Sequence, residues 1–200
     1  MVRTGRPRKF SRDEAISQAM MLFWEHGFES TSLAQLKKAM GGISSASFYA
    51  AFESKDALFK ETLDRYLSTF GQVSTSLTDP SLLSRTAIEL TLRSSAKMQT
   101  EQSHPLGCLV ILSANTCSPE NNHIREILTL ERATTRQKFL TCIERAIQTG
   151  ELKEGTNVAM LTTLFVTFLD GISTEARDGV TLDNINAAIT KLMELWDSCA

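Results

Sequence analysis

Residues 31–52 read TSLAQLKKAMGGISSASFYAAF, and the fold turns on this stretch. Ser32 and Gln35 stand at capping-box spacing, at which two side chains satisfy each other's orphan backbone N–H groups at a helix start. Leu33, Leu36 and Met40 follow at helical period and define one apolar face. Gly41-Gly42 then breaks the helix, because glycine reaches the left-handed backbone angles of a sharp turn. Ile43 is expected to plug that turn into the core. Ser44 is placed to cap a third, very short helix in which Phe48 and Phe52 sit four residues apart on one side. The other side carries Ser45, Ala46, Ser47, Tyr49 and Ala50, mostly small or hydroxyl-bearing. Two helices about a tight glycine turn, the second exposing small polar groups, describe a helix-turn-helix. A helix enters a major groove only when its leading face permits close approach or reaches base edges. The free N–H groups behind Ser44 also suit a phosphate.

Upstream, Ser11 and Glu14 repeat the capping-box spacing. Ile16, Ala19, Met20 and Phe23 then form a stripe that Gly27 stops, predicting a first helix over about 12–26. The extreme N-terminus is basic: Arg3, Arg6, Arg8, Lys9 and Arg12 occur with no acid among them. Residues 1–60 hold nine Lys/Arg against six Asp/Glu, a net +3, while residues 61–200 hold twelve against seventeen, a net −5. A basic head on an acidic body points to a polyanion at one end only. Within the arm, GRPRK (residues 5–9) suits either an arginine in a narrow minor groove or a tail that only adds charge.

Residues 31–59 resemble the DNA-binding head of TetR-family one-component transcriptional regulators. The resemblance rests on Thr31-Ser32, Leu33, Leu36, Ala39, Gly42-Ile43-Ser44, Phe48-Tyr49, Phe52, Lys55 and Asp56, and it extends over about residues 10–65. Two departures stand out. The turn between Leu36 and Ile43 is one residue longer than the usual form, and Ala51 occupies a place where a polar residue is frequent. The resemblance implies that Tyr49 and Lys55 hold phosphates and that the Thr31 hydroxyl touches the DNA backbone. It implies that Ser45, Ala46, Ser47 and Ala50 face the groove, with Ser32 and Ser44 at the leading ends of their helices. No Arg, Asn or Gln lies on this third helix, so the strong bidentate base contacts are absent and specificity leans on the arm and on DNA shape.

The rest of the chain reads as helix. A long helix over Lys55–Ser76 is expected, capped by Ser54, with Tyr66 and Phe70 on its inner side. Pro80 is expected to open another helix to about Glu101. After the break at Pro105-Leu106-Gly107, CLVILSA reads as a short buried helix. Pro119 opens the longest helix, over about Glu120–Thr149, followed by helices over Thr156–Asp178 and Leu182–Asp197. The result is an all-α chain of about nine helices, with a head over residues 1–54 and a ligand-binding and dimerisation body over 55–200. The helix over 156–178 is apolar most of the way round, so it is either a central core helix or the contact with a second subunit. The resemblance favours the subunit contact, placing Leu161, Phe165, Ile172, Ile189, Leu192, Met193 and Trp196 in a homodimer interface. Tyr66, Phe70, Met98, Cys108, Ile111, Leu112 and Phe168 are candidates to line an apolar ligand cavity.

Composition limits the alternatives. The chain has 200 residues, 42 % of them hydrophobic and 22 % charged, which is ordinary for a folded domain. No apolar run approaches the roughly 20 residues of a membrane span, and no signal peptide follows the basic N-terminus, so a cytoplasmic protein without membrane partners is expected. No nucleotide-binding, hydrolase or zinc-protease motif occurs, and no enzyme, cofactor or metal is expected. The pairs His104/Cys108 and Cys117/His123 lack diagnostic zinc spacing. The resemblance thus implies a ligand-responsive regulator, a repressor of double-stranded operator DNA with a small-molecule effector. The competing reading is a DNA-binding regulator that senses thiol oxidation or metal through these Cys and His residues.

Overall fold

The computed structural model describes residues 11–114 and 117–200, so Arg3, Arg6, Arg8 and Lys9 lie outside the described residues. Among the described residues the chain is all-α, with nine α-helices, two short 3-10 turns and no strand. The head comprises α1 (Arg12–Ser30), α2 (Leu33–Ala39) and α3 (Ser45–Phe52). The body comprises α4 (Lys55–Ser68), α5 (Ser84–Thr100), α6 (Leu109–Ala114), α7 (Asn122–Gln148), α8 (Val158–Arg177) and α9 (Leu182–Cys199).

Local chemistry sets the starts of the first four helices. The Oγ atoms of Ser11, Ser32, Ser44 and Ser54 accept the backbone N–H three residues on, at 3.3, 3.2, 3.1 and 3.0 Å. At Ser32 the box closes fully, since Gln35 Oε1 accepts from the Ser32 N–H at 2.8 Å. Helix α1 kinks at Gly27 and continues to Ser30, four residues beyond its expected end. Gly41 and Gly42 both have positive φ, 86° and 78°, and the Gly42 N–H donates back to the Lys37 carbonyl.

Two body helices differ from the sequence expectation. Helix α4 ends at Ser68, because the hydroxyls of Ser68 and Thr69 both turn back onto the Arg65 carbonyl and the chain passes into a 3-10 turn over Gln72–Thr78. Pro80 does not open a helix. Asp79 Oδ1 instead binds the Ser81 N–H in an Asx turn, and α5 begins at Ser84. The first amides of α5, those of Ser84 and Arg85, donate to the Glu151 carboxylate at 2.9 and 3.2 Å.

Two apolar clusters make the core. The first joins Phe23, Trp24 and Phe28 of α1 to Phe48 and Phe52 of α3 and to Phe59 and Tyr66 of α4. It runs on into Leu109 of α6 and Leu128 of α7, so it crosses from head to body. The second packs α5, α7, α8 and α9 around Ile88, Phe139, Phe165 and Trp196. This second cluster contains the residues of the expected subunit contact. Leu161, Phe165, Ile172, Ile189, Leu192, Met193 and Trp196 are all buried within the single chain, at 8 % exposure or less. Neighbouring helices of the same chain cover most of their apolar surface. By length and composition α8 meets the requirement for a membrane span, contrary to expectation, although one of its faces builds this core.

Candidate nucleic-acid interface and body cavity

Helix α3 presents two unlike sides. Phe48 and Phe52 are fully buried, and they anchor the helix against the head. Ser44, Ser45, Ala46, Ser47, Tyr49 and Ala50 are all exposed, and Tyr49 stands half in solvent with its ring edge-on to Phe48. The leading end is ordered by hydroxyls: Ser44 Oγ caps Ser47 and lies 3.0 Å from Ser47 Oγ. Lys37 Nζ donates to Ser45 Oγ at 2.8 Å, which places an ammonium beside the expected groove-facing surface. Sequence reading missed Lys37; the signal available was a lysine pair, Lys37-Lys38, in the last turn before the glycines.

Thr31 and Lys55, two expected DNA-backbone contacts, are less exposed than the face of α3. Thr31 is fully buried, and its hydroxyl donates to the carbonyls of Gly27 (2.7 Å) and Leu22 (3.3 Å). It holds the α1 kink closed and has no free face for DNA. Lys55 is half-buried, with Nζ 4.2 Å above the Phe28 ring. Burial lowers its pKa, while the Glu29 and Asp56 carboxylates oppose that shift. Ser32 is exposed, but its side chain is spent on the capping box. Arg12, the last basic residue of the arm, binds Glu61 at 2.6 Å and lies over the Phe52 ring, pinning α1 to α3 and α4.

In the body a cavity of about 70 Å³ opens between α4, α5, α6, α7 and α8. Of the seven residues expected to line it, Tyr66, Met98, Cys108 and Ile111 do. Phe70, Leu112 and Phe168 are not on its wall. Phe70 packs edge-on against Trp24 and His104, and Leu112 lies against the glycine turn at Gly107. Phe168 is half-buried along α8. Arg132 and Asp170, two charged residues of the wall, went unrecognised because they stand on different helices 38 positions apart.

Head and body meet at one dense joint. The Trp24 indole donates to the Gly107 carbonyl at 3.0 Å and stacks on His104, and its ring meets Tyr66 edge-on. Arg177, at the end of α8, donates to the carbonyls of Trp24 (2.9 Å), Glu25 (3.3 Å) and Leu106 (2.9 Å). Gly107 has φ of 80°, and a Cβ there would lie 2.7 Å from Leu112 and 3.0 Å from the Ser173 carbonyl, so only glycine closes the joint. On the far side Glu29 accepts from the Ser118 N–H and the Asn121 amide, and His123 Nε2 meets Asp56 at 2.7 Å.

The thiols give no purchase to the sensor reading. Burial pushes the Cys108, Cys117 and Cys142 thiols up from the ordinary range, opposite to the shift a reactive thiolate needs. Cys108 accepts from the Tyr66 hydroxyl, and Cys117 lies on the Ser113 carbonyl. Among the described residues no group of three or more His, Cys, Asp or Glu is arranged to hold a metal.

Comparison with known proteins follows the same lines. Residues 15–62 match the family described as bacterial regulatory proteins, tetR family. The chain is 33 % identical over 196 residues to the HTH-type transcriptional repressor ComR of Escherichia coli (strain K12), covering 96 % of this chain and 91 % of that protein. It is 28 % identical over 184 residues to the HTH-type transcriptional repressor BdcR of the same organism, covering 92 % and 87 %. Among solved structures it is similar to a cysteine-substituted TetR family regulator, CifR, complexed with 26-base-pair operator DNA. That likeness has 36 % identity and a TM-score of 0.88, covering 96 % of this chain and 100 % of that one.

Proposed function

The chain belongs to the TetR family of bacterial regulatory proteins, and from that premise we propose that it is a homodimeric transcriptional repressor, released from operator DNA by a small molecule. The observation that carries this reading is the two-sided α3: a fully buried Phe48/Phe52 anchor behind an exposed face of serine, alanine and tyrosine. Ser45, Ala46, Ser47 and Ala50 are the groove-facing group, and Tyr49 with Lys37 positions the helix on phosphates. The head is assigned to residues 1–54 and the effector and dimerisation unit to residues 55–200, in a cytoplasmic, non-enzymatic regulator.

The partner copy is proposed to pack on the outer side of the last two helices. Met160, Leu164, Phe168 and Gly171 of α8 recur at helical spacing, as do Ala188 and Leu195 of α9, and all are exposed or half-buried in the single chain. An added Cβ at Gly171 would meet nothing within 4 Å, which fits a small residue that lets another helix approach closely. Release follows from geometry. Helix α4 carries the head at one end and contributes Tyr66 and Leu67 to the cavity at the other. An effector that shifts α4 alters the separation of the two heads, on which simultaneous binding of two half-sites depends.

The test is a fluorescence-anisotropy titration with operator fragments. Tyr49→Phe is expected to weaken binding by about 1 kcal/mol, equally across operator variants, through loss of one hydroxyl bond. Ser47→Ala is expected to change the ranking of base substitutions within one half-site. Equal weakening of every sequence by both variants would remove α3 from the role of base reader.

A further inference from the structure

Arg132 of α7 and Asp170 of α8 face the same cavity with opposite charges and are not paired with each other. Arg132 Nη2 donates to Thr129 at 2.9 Å, but Nη1 is buried with no hydrogen-bond partner. Among the described residues the Asp170 carboxylate makes neither a hydrogen bond nor an ion pair. Arg132 Nη1 is thus taken from water without a partner, which proteins ordinarily avoid, while the Asp170 carboxylate has only the through-space attraction of Arg132 and Arg136. The apolar part of the wall includes Met98, Ile111, Val166 and Leu169.

We infer that the cavity takes a small uncharged molecule with an apolar body and one hydroxyl group, which donates to Asp170 and accepts from Arg132 Nη1. This inference rests on reading the body as an effector-binding unit. A hydroxyl is the simplest group that offers a donor and an acceptor at one atom. A carboxylate ligand would satisfy Arg132 but would stand against Asp170 and the neighbouring Glu131, which also lines the cavity. An ammonium would satisfy Asp170 but would face Arg132, with Arg136 close enough to act on the same carboxyl. An ether or hydrocarbon would leave the Asp170 carboxylate without a hydrogen-bond donor. Size limits the body as well. A cavity of about 70 Å³ holds roughly five water-sized groups, at 10–15 Å³ for each. Binding also touches the switch: the Tyr66 hydroxyl, donated at 3.3 Å to the weak acceptor Cys108 Sγ, lies on the same wall and belongs to α4.

The test uses the full chain with ¹³C-methyl-labelled methionine, because Met98 reports from the cavity wall and the other methionines serve as internal controls. Four probes of matched size are titrated: 1-butanol, methyl propyl ether, butylammonium and butyrate. The expected result is a saturable shift of the Met98 signal with 1-butanol, at an affinity about tenfold above that of the other three. Asp170→Asn and Arg132→Met should each reduce that affinity by about tenfold while the remaining methionine signals stay in place. Equal binding of ether and alcohol, tighter binding of either ion, or full affinity in both variants would overturn the inference. So would the absence of saturable binding by any probe, which would leave the cavity to water. Operator affinity is measured separately at saturating 1-butanol. A bound alcohol without operator release supports the site and counts against the effector reading, whereas release without Met98 saturation counts against the site alone.

Discussion

In the head and at the first body helix, each helix start is satisfied by the residue just before it, and at all four starts from α1 to α4 that residue is a serine. In the body, α5 begins without a side-chain cap of its own, and its first amides turn to Glu151, 67 residues further on. Helix α7 also lacks a side-chain cap, although Asn157 and Thr181 cap α8 and α9 locally. The head is therefore assembled from instructions written within four residues, and much of the body from instructions that exist only once the chain has folded. A recognition unit that must keep one shape on DNA gains from the first arrangement. A unit that must respond to a ligand gains from the second, because distant ties offer more than one way to be satisfied.

Four substitutions press on this contrast. The largest effect is expected at Trp24, where the first core cluster crosses from head to body. Trp24→Ala removes a fully buried ring and its bond to Gly107, and should cost about 3–5 kcal/mol. Trp196 is then the single remaining tryptophan, and it lies in the body core. Urea unfolding followed by its fluorescence should move to lower denaturant together with the loss of helix. An unmoved Trp196 transition beside an early melting head would make head and body separate units.

A smaller effect distinguishes the two kinds of cap. Glu151→Ala should cost about 2 kcal/mol through loss of charge-assisted bonds to two amides, and Ser44→Ala about 1 kcal/mol. Hydrogen exchange reads where the loss falls. With Glu151→Ala it should spread through α5 and the turn over residues 149–152, and with Ser44→Ala it should stay within α3. Spreading from Ser44 into the body would contradict the local character of the head.

The smallest effect concerns acid. The Asn121 amide and the Ser118 N–H hold the Glu29 carboxyl below its usual range, since both favour the ionised form. A folded pKa lowered in this way gives stability that is present above the unfolded value and lost as pH falls through the folded one. The wild type should therefore lose stability more steeply than Glu29→Gln as pH falls below about 5, and the two should converge in strong acid. Parallel acid limbs would mean that Glu29 does not tie α1 to the start of α7.

The contrast also accounts for what the sequence made legible. Serine caps, the Gly41-Gly42 turn and the Phe48/Phe52 pair are short-range signals, and the head could be drawn from them. Residues whose surroundings are long-range were not legible. Thr31 reads as a free hydroxyl until the α1 kink brings the Gly27 and Leu22 carbonyls to it. Pro80 reads as a helix start until Asp79 folds onto Ser81. Leu161 and Trp196 read as a subunit seam, because a sequence records that a face is apolar and not which helix covers it. Arg132 and Asp170 become neighbours only through the packing of α7 on α8.

The central claim is that the exposed face of α3 reads double-stranded DNA in a dimer. Sequencing the fragments that the purified protein selects from random duplex DNA tests it most directly. The account predicts an inverted repeat with half-sites about one helical turn apart, or a multiple of that, and loss of the enriched sequence in the Ser47→Ala, Tyr49→Ala double variant. Selection of no sequence, or selection of the same sequence by the double variant, would contradict it.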